Sequence, residues 1–208
     1  MLLKSGQKMV LIGDSITDAG RREDQGHLGQ GYVRLFRDLL WVRHPGLDVQ
    51  LVNKGIGGDT VRHLERRWHE DVISEKPDVL SISIGVNDVW RQLDGAGEPV
   101  YLDDYEAVYR SLLERTRKEV HCRLVLCEPT IIGERIDDPG NVKLEDYCAV
   151  VHRLADEFDA LLVAMNRAFW HAIESRPDCP WTADGVHPLS NGHLLMAWTL
   201  LGALESVE

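Results

Sequence analysis

Lys8-Met9-Val10-Leu11-Ile12-Gly13-Asp14-Ser15-Ile16-Thr17 is the stretch on which the fold turns. An unbroken apolar run from Met9 to Ile12 marks a strand covered on both faces, because a strand with one wet face alternates polar and apolar residues. Gly13-Asp14-Ser15 ends the run with turn-forming residues, and a helix is expected to start just after them. A strand running straight into Gly-Asp-Ser sets Ser15 on a sharp turn, with Oγ exposed and the backbone N–H groups of the helix start unpaired. The same residues also suit a plain helix cap, a common use of serine.

Outward from this strand the pattern repeats. Val- and Ile-rich runs at 48–53, 78–85, 123–128 and 160–164 join Lys8–Gly13 as five expected strands. Between them, residues 103–120 place Tyr105, Val108, Leu112, Thr116 and Val120 at helical spacing, and Asp103 with Glu106 has the form of a capping box. Residues 147–158 and 191–204 read as further amphipathic helices. Strands alternating with helices imply a parallel sheet with helices on both sides. The Gly-, Pro- and Asp-rich segments 92–100 and 132–142 read as surface loops, and no repeat or long linker divides the chain. Residues 1–208 are therefore expected to form one domain.

Bulk properties narrow the function. The 208 residues are 44% hydrophobic and 27% charged, the make-up of a folded globular chain, and the net charge is −11. An acidic surface argues against a nucleic-acid partner, since phosphate binding needs basic residues. The apolar runs are far shorter than the roughly 20 residues of a membrane helix. Residues 1–8 lead directly into the first strand, without the charged, apolar and cleavage regions of a signal peptide, so the expected location is cytoplasmic. Cys122, Cys127, Cys148 and Cys179 have no paired spacing and are expected as free thiols.

In a parallel sheet, loops leaving the carboxyl ends of the strands build the site. Ser15 stands after the first strand. After the second comes Asn53-Lys54-Gly55-Ile56-Gly57-Gly58-Asp59-Thr60, where glycines allow close approach and the Gly58 N–H is free to meet an oxyanion. A tight strand-to-helix connection would use the same glycines, as would a phosphate loop, although the Gly-Lys-Ser/Thr ending of a Walker motif is absent. After the third strand, Asn87 in Gly85-Val86-Asn87-Asp88-Val89-Trp90 offers a side-chain amide donor, or acts as a turn residue. Before the last helix, Asp184-Gly185-Val186-His187-Pro188 carries a carboxylate and an imidazole on one loop. That pair would let Asp184 accept from His187 Nδ1–H while Nε2 faces Ser15. Asp-x-x-His alone is common by chance; the four segments in order are far more specific.

Together these residues resemble the SGNH, or GDSL-type, hydrolase superfamily. Ser15, Gly58, Asn87 and His187 stand at its four blocks and Asp184 at its triad acid, over about Lys8 to His193. The segments Asn53-Lys54-Gly55-Ile56, Asn87-Asp88-Val89-Trp90-Arg91-Gln92, and Val186-His187-Pro188 with Gly192-His193 are similar to bacterial acetylxylan esterases within it; Gly57 departs from the Ser often found there. The resemblance implies a three-layer α/β/α sandwich with a flavodoxin-like five-stranded parallel sheet, no metal and no cofactor. It implies a serine esterase acting on short acetyl esters of small carbohydrates such as xylo-oligosaccharides, with Ser15, Asp184 and His187 catalytic and Ser15, Gly58 and Asn87 forming the oxyanion hole. Asp14 is expected to support the nucleophile by hydrogen bonding, and Trp90 and Trp181 either to stack on sugar or to pack as ordinary aromatics. His193 after His187 lacks the Cys or second carboxylate of a metal site. Some members assemble, and a homo-oligomer is the matching expectation. The rivals are a lipase, lysophospholipase or thioesterase on longer acyl chains, for which no apolar lid is evident, and a non-catalytic flavodoxin-like binding domain.

Overall fold

Met9, Val10, Leu11 and Ile12 are fully buried in the central strand β1 (Lys8–Gly13). The computed structural model describes residues 1–207; Glu208, the last residue of the expected domain, lies outside the described residues. On one side β1 pairs in parallel with β2 (Gln50–Gly55), and on the other with β3 (Val79–Ser83), so that Leu11 stands between Asn53 and Ser81. Strands β4 (Arg123–Cys127) and β5 (Leu161–Val163) extend the sheet beyond β3, giving the order β2-β1-β3-β4-β5, all parallel. All five residues of β3 are buried, as expected of an inner strand, whereas the edge strand β2 is half-exposed along most of its length.

Helices cover both faces. Helix α1 (Ser15–Asp18) is a single turn, and α2 (Tyr32–Arg43) comes after it and before β2. Helix α3 (Val61–Trp68) runs into a π-helical turn at His69–Ile73. Then come α4 (Val86–Asp94), α5 (Leu102–Glu119), α6 (Pro139–Glu157), α7 (Met165–Ser175) and α8 (Ser190–Glu205). Helix α8 packs on α2 and α7, while α3 packs on α5, and α6 on α4 and α5, forming a second layer. This is the three-layer, flavodoxin-like sandwich. Chain direction across the sheet reverses between the β1-to-β2 and β2-to-β3 crossovers, so the switch point, where such sheets bind ligands, lies between β1 and β3.

Two local expectations need correction. Asp103 and Glu106 do not form a capping box: α5 begins at Leu102 with Tyr101 as its N-cap, and no side chain caps it. Asp103 instead falls in the first turn, where a carboxylate favours the positive end of the helix. The reciprocal cap is at α3, where His63 Nδ1 accepts from the Thr60 N–H at 3.1 Å. Helix α6 also starts at Pro139, inside the segment expected to be loop. Proline suits a first helical position, since the N–H it lacks would have no partner there. Among the described residues, no helix is long and apolar enough to cross a membrane.

Candidate active site

Asp14, not Ser15, caps α1: its Oδ1 accepts from Ile16 N–H at 3.0 Å. This frees the serine side chain, and Ser15 Oγ stands 3.0 Å from His187 Nε2. On the other side of the ring, His187 Nδ1 lies 2.7 Å from Asp184 Oδ2. A carboxylate only accepts, so Nδ1 carries the proton and the neutral ring presents a bare Nε2 to the serine hydroxyl. Asp184 Oδ1 accepts from the backbone N–H groups of Val186 at 3.0 Å and His187 at 2.8 Å, which fixes the carboxylate on its own loop. Partial burial disfavours its charge, but these bonds and the imidazole hold Asp184 below the usual carboxylate range. The His187 and Asp184 side chains are 40% and 46% exposed, so the site opens directly to solvent.

Gly58 has φ +83°, a conformation a side chain would strain, and its Cα faces Arg91: a Cβ built there would lie 3.9 Å from Nη2. Asn87, buried at the start of α4, donates one Nδ2 hydrogen to Asp59 O at 3.0 Å, and the amide has a second hydrogen. Its neighbour Asp88 accepts from Val61 N–H at 3.0 Å. The first turn of α4 thus holds the loop after β2 by one bond and the start of α3 by another. Burial pushes the Asp14 and Asp88 carboxyls each up to about 7, against the backbone bonds that they accept.

Trp90 packs edge-on to His187, with ring centroids 5.9 Å apart, and the Arg91 guanidinium lies 5.5 Å over its ring. Trp181 lines a different surface, an apolar groove with Leu39, Leu194 and Trp198 between α2 and α8. His193 faces inward: its Nδ1 accepts from Tyr32 N–H at 3.2 Å, and burial pushes its pKa down to about 4. Among the described residues, no three His, Cys, Asp or Glu side chains converge as metal ligands would.

Two further residues hold these loops. Arg67 on α3 donates to Gly13 O, Lys54 O and Asp59 Oδ2 at 3.1, 2.7 and 2.8 Å, joining the ends of β1 and β2 to the Gly58 loop. Glu134 takes three hydrogen bonds from the residues before Asp184. Neither is marked by motif or spacing in the sequence; only the fold brings their partners to them.

A parallel sheet with a serine, an imidazole and a carboxylate hydrogen-bonded in series at its carboxyl edge is the arrangement of a serine hydrolase. Comparison with known proteins narrows the class to a carboxylic ester hydrolase. Residues 11–195 match the GDSL-like lipase/acylhydrolase family. An acetylxylan esterase of Geobacillus stearothermophilus is 42% identical over 97% of this chain and 95% of its own length. The crystal structure of Axe2, an acetylxylan esterase from that organism, has a TM-score of 0.90 at 41% identity, covering 100% of this chain and 98% of its own. LAE5, an alpha/beta hydrolase enzyme from the metagenome of Lake Arreo, Spain, has a TM-score of 0.90 at 35% identity, over 100% of this chain and 99% of its own. The chain belongs to the GDSL-like lipase/acylhydrolase family.

Proposed function

We propose that the chain is a serine esterase removing acetyl groups from small carbohydrates such as xylo-oligosaccharides, with Ser15 as nucleophile, His187 as base and Asp184 as its orienting acid. The observation that carries this reading is the continuous hydrogen-bonded series Ser15 Oγ–His187 Nε2–His187 Nδ1–Asp184 Oδ2, at 3.0 and 2.7 Å. Attack by Oγ on the acetyl carbon passes the hydroxyl proton to Nε2. The carbon–oxygen bond to the sugar then breaks, and Nε2 returns that proton to the leaving alkoxide. Water, deprotonated by the same nitrogen, attacks the acetyl-serine; the bond to Oγ breaks, Nε2 returns the proton to Oγ, and acetate leaves. Ser15 N–H, Gly58 N–H and the second hydrogen of the Asn87 amide act as oxyanion donors, and Asp184 stabilises the imidazolium in both halves.

Acetyl as the acyl group is supported by the relatives named acetylxylan esterases. A carbohydrate leaving group is supported by the open rim, where Trp90 and Arg91 offer an aromatic edge and hydrogen-bond donors next to His187. The four free cysteines suit a reducing, cytoplasmic setting, in which the substrate is a soluble oligosaccharide. An acyl-length series of p-nitrophenyl esters beside acetylated xylo-oligosaccharides tests the reading. Acetate is expected to lead, with acetate released from the sugar; a preference for octanoate would move the chain to the lipases.

A further inference from the structure

The loop bearing Asp184 and His187 belongs to no helix or sheet strand. It is closed at its base by Ala183 N–H donating to His187 O at 2.8 Å and Leu189 N–H to Trp181 O at 2.9 Å. Both catalytic side chains must nonetheless hold their geometry to fractions of an ångström for the series to work. What fixes this closed loop against the rest of the fold includes the segment after β4, far earlier in the chain. Glu134 Oε1 accepts from Trp181 N–H at 2.9 Å, Thr182 N–H at 2.6 Å and Thr182 Oγ1 at 2.5 Å. The same Thr182 Oγ1 accepts from Gly185 N–H at 3.1 Å, carrying the attachment to the residue next to Asp184. A second tie runs from Gly133 N–H to Gly185 O at 2.7 Å. The two glycines lie backbone to backbone: a Cβ on Gly185 would meet Gly133 Cα and N at 3.3 Å.

The clamp is itself anchored. Asn141, buried in the first turn of α6, accepts from Ile132 N–H at 2.8 Å and donates to Gly133 O at 3.1 Å and Arg135 O at 2.8 Å. Load therefore passes from α6 through residues 132–135 to residues 181–185. A carboxylate gathering three donors is costly to lose, because each is left without its partner in a half-buried setting.

We propose that Glu134 is a positioning residue for the reaction, holding the Asp184–His187 loop so that His187 Nε2 faces Ser15. The proposal rests on Ser15, His187 and Asp184 being the catalytic triad. It gives a function to a loop that touches none of the reacting atoms.

The test compares Glu134→Ala and Glu134→Gln with the wild type and a Ser15→Ala control. It reads kcat and KM on p-nitrophenyl acetate, fluorophosphonate labelling rate, and hydrogen exchange at the Trp181, Thr182 and Gly185 amides. Glu134→Ala is expected to lower kcat on the order of 10- to 100-fold with little change in KM, to slow labelling in parallel, and to speed exchange at those three amides. Core strand amides keep their protection. Glu134→Gln, whose amide oxygen can still accept the Trp181 and Thr182 N–H bonds, is expected to recover most of the rate and the protection. Wild-type kcat in a folded Glu134→Ala protein overturns the proposal, and so does a Gln variant that folds but is as slow as Ala. Turnover by Ser15→Ala at the wild-type rate would instead remove the triad itself. Should Glu134→Ala fail to fold, the Gln variant alone decides, since full activity and protection there are required.

Discussion

Ser15 Oγ and His187 Nε2 stand 3.0 Å apart although 172 positions separate them in the chain. The contact depends on two independent pieces of local structure: the turn at the end of β1, capped by Asp14 so that Ser15 is left free, and the loop ahead of α8, shaped by the bonds Asp184 accepts from its own backbone. Each piece makes a separate prediction.

Asn87 contributes one amide hydrogen to Asp59 O and, in the proposed mechanism, the other to the oxyanion. Asn87→Ala is expected to lower kcat by a factor on the order of 10² to 10³, equivalent to about 2.7–4 kcal/mol of barrier. Steady-state kinetics on p-nitrophenyl acetate checks this, and near wild-type turnover in a folded variant removes Asn87 from the scheme.

Asp184→Asn keeps the shape of the loop, because an amide oxygen still accepts from Val186 and His187 N–H. Its NH2 would then face His187 Nδ1 and force the ring proton onto Nε2, where it blocks proton uptake from Ser15. A fall in kcat on the order of 10³ to 10⁴ is expected, with the melting temperature close to wild type. Loss of structure without this fall would assign Asp184 a folding role alone.

The buried carboxyls beneath the site give a pH signature. Asp14 and Asp88 have ordinary values of 3.8 and are pushed up by burial to about 7 in the folded chain. Between those values the folded state holds protons that the unfolded chain has released. These groups therefore lower stability as pH rises from about 4 to about 7, and their effect levels off above that range. Asp88→Asn, which keeps an acceptor for Val61 N–H, is expected to flatten this decline. Urea unfolding of both proteins across the range checks it; parallel pH slopes in the two would contradict it.

Trp90 sits edge-on to His187 at the open side of the site. If its ring borders the sugar, Trp90→Ala raises KM for acetylated xylo-oligosaccharides several-fold more than for p-nitrophenyl acetate, since stacking on an aromatic acts through the leaving group. Equal effects on both substrates would leave the ring a packing role against His187.

The fold is legible in the sequence because β1 and β3 are covered on both faces, so burial writes itself there as unbroken apolar runs. The first strand can be read to the residue, and the others within a few residues. Helix α6 is only half legible because its first turns, from Pro139, carry the Pro, Gly and Asn of a loop and are held in place by Asn141 bonding to segment 132–135. Ser15, Gly58, Asn87, Asp184 and His187 stand out because chemistry demands those residue types at strand ends. Arg67 and Glu134 do not, since their partners are mainly backbone groups of distant loops, and a backbone carbonyl or N–H leaves no mark on the residue that meets it. Trp181 is close to the site in sequence, but it lines the α2–α8 groove.

The central claim is that Ser15 is the nucleophile, activated by His187. Treating the folded protein with a fluorophosphonate and mapping the adduct by peptide mass spectrometry tests it most directly. A single adduct on the peptide containing Ser15, lost in Ser15→Ala and strongly slowed in His187→Ala, is the predicted result. An unlabelled Ser15 in protein that hydrolyses p-nitrophenyl acetate, or an adduct on another residue, would contradict it.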